Sequence, residues 1–221
     1  HQVALTFAMI YEDSERFIMP LSNDEVVHLK RSLLEKMPGD PWRKLANLRA
    51  MLAYMYTRPG KKLLFMGTEL APYAEWNHDV SLDWHLADDP SHAAFLRFVQ
   101  ELGAMYNATP ALWRDDFIHE GFSWIDVADR MNSVLSYVRR SGDAHVVVVL
   151  NLTPEPRANY RVGVPAAGTY RVVLSSDAER FGGSGYGSER DVSTEPSPFH
   201  GHPQSLSLSL PPLAALVLAP R

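Results

Sequence analysis

The chain has 221 residues, 46% of them hydrophobic and 21% charged, with a net charge of -5 and no cysteine. That is enough apolar material for one large domain or two modest ones, and it excludes global disorder. The acidic balance leaves no basic surplus for a phosphate backbone, so no nucleic-acid partner is expected; the lack of cysteine removes disulfides, thiolate metal sites and cysteine nucleophiles, and fits a reducing, cytoplasmic compartment.

The chain opens His1-Gln2-Val3-Ala4, with no Met and no basic segment before an apolar run. This does not read as a signal peptide, and it hints at a piece of a longer protein. Phe17 to Leu21 reads as a short strand ended by Ser22-Asn23-Asp24. Trp42 to Tyr56 reads as a helix, because Leu45, Leu48, Leu52 and Met55 recur at spacings of three and four. Arg58-Pro59-Gly60 stops it, and Lys62 to Met66 follows as a buried strand. Ser91 can cap a second helix with an apolar stripe of Phe95, Leu96, Val99, Leu102 and Met105. The order strand–helix–strand–helix implies parallel strands with covering helices.

Near residue 115 the character changes: seven of the eight Met lie before it and nine of the thirteen Gly after it. Seven strands read out of the second part: Phe122 to Asp126, Ser133 to Arg139, His145 to Leu152, Tyr160 to Val164, Thr169 to Ser175, Ser205 to Leu210 and Leu213 to Leu218. Short strands at this spacing predict an antiparallel β-sandwich. The longest stretch without a charged residue, Pro196 to Pro220, alternates Ser and Leu and carries internal prolines, so no membrane helix is expected. Phe181 to Gly187 is Gly-rich but lies between strands, which makes it a surface loop rather than a phosphate cradle.

Two segments concentrate polar chemistry. Pro20 to His28 places Asp24, Glu25 and His28 just past the C-terminal end of a strand, the end at which parallel α/β architectures build sites. A loop that caps its own turn with Asp24 is the competing reading. No metal site is expected there, since no second ligand cluster has suitable spacing. After the next strand come Glu75-Trp76-Asn77-His78-Asp79 and Asp83-Trp84-His85. Indole faces stack on sugar rings while carboxylates and amides accept from hydroxyls, so this loop suits sugar recognition. A loop anchored by its two Trp fits equally well.

Several motifs together carry a family resemblance. Pro20-Leu21-Ser22-Asn23-Asp24-Glu25-Val26-Val27-His28, Lys36-Met37-Pro38-Gly39-Asp40, Pro59 to Gly67, Glu75 to Asp79, Leu82-Asp83-Trp84, Asn132-Ser133-Val134, Asn151 to Pro154 and the Ser205 to Pro212 segment resemble the 1,4-α-glucan (glycogen) branching enzymes of the α-amylase family. The resemblance covers essentially the whole chain. It implies an α/β plus all-β fold: residues 1–114 as the last two strand–helix units of a (β/α)₈ barrel, and 115–221 as an antiparallel β-sandwich domain. It implies a transferase of glycogen biosynthesis that needs no cofactor and takes an α-glucan as substrate. Asp24 matches the third catalytic Asp of the family, and Asn23, Glu25, Trp76 and Asp79 are the implied substrate contacts. The nucleophile and acid/base of a retaining mechanism would come from the missing N-terminal part of the same chain, so the fragment alone is expected to be inactive. Asn23 stands where the family usually has His. A non-catalytic α-glucan-binding or domain-packing module, and a hydrolytic or debranching relative, are the alternatives.

Overall fold

The computed structural model describes residues 18–187 and 191–221. Strand β1 is Ile18–Leu21; Phe17, expected to begin it, lies outside the described residues. One short helical turn, α1 (Leu33–Lys36), precedes the long helix α2 (Pro41–Thr57). Asp40 starts α2 by accepting from the Arg43 N–H at 2.9 Å, and Pro41 takes the first helical position, where a missing N–H costs nothing. The expected stripe of Leu45, Leu48, Leu52 and Met55 is buried. Strand β2 (Lys61–Leu64) pairs in parallel with β1, Ile18 opposite Lys61 and Leu21 opposite Leu64.

Three expectations for this half need correcting. The segment at β2 is not a buried strand: its residues alternate exposed and half-buried, and Leu63 is 41% exposed. Helix α3 (Pro90–Ala108) is capped by Asp89 rather than Ser91, because the Asp89 carboxylate accepts from the N–H groups of Ser91 and His92. The face α3 buries is also rotated from the expected stripe. His92, Phe95, Phe98 and Leu102 are inside, while Leu96, Val99 and Met105 are only partly covered.

The remaining strands are β3 (Phe122–Asp126), β4 (Val134–Ser141), β5 (Ala144–Asn151), β6 (Arg157–Val164), β7 (Thr169–Ser175), β8 (Asp191–Ser193), β9 (Gln204–Leu210) and β10 (Ala214–Pro220). Of these, β8 was not expected; three residues in a charged stretch carry no alternation to read. Antiparallel pairing orders six of them β3-β4-β5-β10-β7-β8, and β6 pairs with β9. Alternate side chains of the six-stranded sheet go to opposite faces. Val147 and Val149 meet Val162, Val164, Leu206 and Leu208 of the β6–β9 pair. Val146, Val148 and Leu150 meet helix residues such as Leu52, Phe98 and Leu102. Both faces are therefore covered, which explains why β5 reads as an unbroken valine run rather than an alternating one.

The core thus crosses residue 115. Buried polar groups tie the same seam. The Arg139 guanidinium donates to Thr57 O, Gly121 O and Asp116 Oδ1, the last at 2.6 Å, and Lys61 reaches the other Asp116 oxygen at 3.2 Å. Arg49 of α2 donates to Ser176 O and Phe181 O, and burial lowers its pKa to about 10 against the opposing pull of Asp177. The Gly-rich segment is accordingly a docked loop rather than a simple surface one. Trp42 Nε1 also donates to Gly182 O, and Gly183 lies so close to Asp177 O that a Cβ there would sit at 2.1 Å.

Candidate functional site

Strand β1 delivers the chain to a tight turn. The Ser22 N–H and hydroxyl both donate to Glu25 Oε2, at 2.8 and 3.0 Å, and Asn23–Glu25 forms one 3-10 turn. Asn23 and Asp24 are exposed at its apex. Glu25, expected to contact substrate, has its carboxylate engaged in holding the turn. Beyond it the backbone enters the left-handed region at His28 (φ 58°), Leu29 (φ 66°) and Arg31 (φ 68°). Such conformations are unfavourable for residues with a Cβ, so something must hold them.

The loop after β2 does so. The Glu75 carboxylate accepts from the Leu29 N–H at 3.1 Å and from the Arg31 N–H. Trp76 N–H donates to Val26 O at 3.0 Å, and Phe65 N–H extends the β1–β2 ladder to Leu21 O at 2.8 Å. Trp76 is half-buried, edge-on to Phe65 with ring centroids 5.0 Å apart. Lys30 Nζ reaches back to Asp24 O at 2.8 Å, and Lys36 Nζ to Glu25 O. The structure therefore brings Trp76 against the turn that carries Asp24. Asp79 is not joined to that turn by these bonds. It is exposed in its own turn, where its N–H donates to Asn77 Oδ1 and its carboxylate lies 3.3 Å from His78.

Beneath the two loops is a cavity of about 70 Å³ lined mainly by apolar groups, among them Val26, Leu34, Leu48, Leu70, Trp76 and Leu82. On these two loops Asp24, Asn23, Trp84 (60%) and Tyr73 (54%) are exposed. Among the described residues no group of three or more His, Cys, Asp or Glu is placed to hold a metal ion. No helix among them is long and apolar enough to cross a membrane.

What this arrangement offers is an accessible carboxylate on a backbone fixed by cross-loop bonds. Sequence reading missed the residues that fix it, Glu75 and Lys30. Glu75 stood next to Trp76 in a segment already singled out, but the left-handed backbone it satisfies leaves no trace in residues such as Leu29 and Arg31.

Residues 124–221 match the sequence family described as the alpha amylase, C-terminal all-beta domain. A protein of Cereibacter sphaeroides named 1,4-alpha-glucan branching enzyme GlgB is 53% identical over 221 residues, spanning 100% of this chain and 30% of that protein. One of the same name from Burkholderia thailandensis is 55% identical over 222 residues, spanning 99% of this chain and 26% of that protein. Over its whole length the chain is thus similar to the C-terminal part of proteins named 1,4-alpha-glucan branching enzyme. It spans less than a third of the length of these relatives. In fold it is similar to the crystal structure of alpha-amylase from Geobacillus thermoleovorans complexed with acarbose, at 18% identity and a TM-score of 0.53, over 80% of this chain and 33% of that one.

Proposed function

We propose that the longer protein carrying this chain is a cytoplasmic 1,4-α-glucan branching enzyme of glycogen biosynthesis. It cuts an α-1,4-glucan, holds the cut chain as a covalent ester on a carboxylate nucleophile, and passes it to a C6 hydroxyl to make an α-1,6 branch. In this reading residues 1–114 complete a (β/α)₈ barrel whose other strands come from the preceding part of the chain. Residues 115–221 form the C-terminal domain. Asp24 is the third carboxylate: it holds sugar hydroxyls and stabilises the positive charge that develops on the ring. Asn23, Trp76 and Asp79 contact the glucan, and Glu25 contributes through the turn it holds.

The observation that carries the reading is the match at about half identity, over the whole chain, to proteins named as branching enzymes. The parallel β1–β2 pair joined through α2, with Asp24 exposed at the C-terminal end of β1, supports it. Double displacement needs two carboxyl groups flanking the bond in addition to Asp24, so the isolated chain should form no α-1,6 linkages on amylose. In the full-length protein, Asp24→Asn should lower the branching rate by about 10²–10³, the usual loss on removing one group that stabilises transition-state charge. Its melting temperature should not change, because the side chain is exposed. A branching rate within twofold of the parent would instead make Asp24 vestigial and this segment a non-catalytic glucan-binding or domain-packing module of the longer protein. Asn23, in the position where the resemblance expects His, is the feature that leans that way.

A further inference from the structure

The turn that carries Asp24 is held by the other loop. Three residues just past that turn, His28, Leu29 and Arg31, take left-handed backbone without the help of glycine. In that conformation successive N–H groups converge into a concavity that attracts an anion. Glu75 fills it with one oxygen on the Leu29 N–H and the other on the Arg31 N–H. Lys30, between those two amides, sends its ammonium back to the Asp24 carbonyl at 2.8 Å, and the neighbouring Trp76 N–H fixes Val26 O. The dipeptide Glu75-Trp76 therefore grips the backbone just C-terminal to the Asp24 turn, at Val26, Leu29 and Arg31. Charged acceptors make the stronger backbone hydrogen bonds, and a carboxylate supplies two at once where an amide side chain supplies one.

We propose that Glu75 is a positioning residue: its carboxylate clamps the 28–31 backbone and thereby fixes where Asp24 presents its own carboxylate. Glu75 acts through the loop and does not touch the reacting bond. The inference rests on the role assigned to Asp24 above, but the clamp itself can be read without any activity. Lys30 and Arg31 are exposed, so trypsin has two cleavage sites inside the clamped segment.

The test uses Glu75→Gln, which keeps the shape and one acceptor oxygen, and Glu75→Ala, which keeps neither. In the 221-residue chain, cleavage after Lys30 and Arg31 and hydrogen exchange of the Leu29 and Arg31 amides should rise from parent to Gln to Ala. The melting temperature should move little, because the clamp lies at the surface. In the full-length protein, misplacing a catalytic group through its support costs about tenfold to a hundredfold in rate. Glu75→Gln should therefore lower kcat by about tenfold with KM within about twofold, and Ala should lower it further. Unchanged amide exchange in both variants would overturn the clamp. A rise in KM with kcat intact would also overturn it, by making Glu75 a sugar contact. Should Asp24→Asn in the same assay keep full activity, the function assigned to Asp24 fails, while the exchange measurement still decides whether Glu75 orders the turn.

Discussion

The six-stranded sheet and the β1–β2 pair use similar residues in opposite surroundings. In β5, Val146 to Leu150 are buried on both faces, by α2 and α3 on one side and by β6–β9 on the other. Its edge strands, β3 and β8, are only five and three residues long, which limits the edge left open to other chains. In the parallel pair, Ile18 is 58% exposed, Leu63 41% and Met66, just beyond β2, 57%. Parallel strands are normally covered on both faces. The difference teaches that the all-β half satisfies itself with help from the two long helices, whereas the pair that carries the candidate site has an uncovered face. Further barrel strands, as proposed above, are what would cover it.

The largest effect should come from breaking the joint between these regions. Arg139 and the Asp116 side chain are fully buried, and Arg139 bonds both to the end of α2 and to the segment leading into β3. Arg139→Met leaves the Asp116 charge inside with only Lys61 paired to it among the described residues, so it should cost about 3–5 kcal/mol in urea unfolding. A loss below 1 kcal/mol would mean the two regions are held by apolar packing alone. A smaller and more pointed effect comes from making one substitution in both regions. Leu150→Ala in β5, at 1% exposure, should cost about 2–5 kcal/mol through lost burial and a cavity. Leu63→Ala in β2 should cost less than about 1 kcal/mol, since much of that side chain already faces water. Equal costs at the two leucines would erase the comparison.

The legible parts of the molecule were those with a period. The valine run of β5, the Ser–Leu alternation of β9 and the three-four spacing of α2 each point to an element that forms within a residue or two of its expected ends. Helix α3 was found but turned, because Leu96 and Val99 are as apolar as Phe98; tertiary packing, such as that of Phe98 against Phe181, selects the inner face. The exposure of β2 was hidden as well: Leu63-Leu64-Phe65 reads as buried whether or not neighbours are present to bury it. At the candidate site, the residue types were legible and the mechanics were not. Asp24 and Trp76 could be singled out by chemistry, but that Glu25 serves its own turn and Glu75 a distant one depends on backbone dihedrals that these residues do not encode.

The smallest effect concerns the far side of the all-β half, where a hydrogen bond between β6 and the β3–β4 connection can be titrated. Tyr160 OH donates to Asp129 Oδ2 at 2.7 Å, and Asn132 adds its backbone N–H at 3.1 Å and its side-chain amide at 2.8 Å. Burial alone would raise the Asp129 pKa, but these bonds and the nearby Arg157 outweigh it, and the carboxyl lies below its ordinary value. Because the folded pKa is depressed, the stabilisation is complete above the unfolded value of about 3.9 and is lost as pH falls through the folded one. Tyr160→Phe removes one of the bonds that depress it. At pH 7 the variant should lose about 1 kcal/mol or less, since Asp129 is near the surface and solvent screens it. The Asp129 pKa should rise in a carboxyl NMR titration, and the stability gap between variant and parent should close as pH falls below about 4. A gap that stays constant across that range would mean that the hydroxyl acts by packing β6 against the connection, with no preference for the charged form of Asp129.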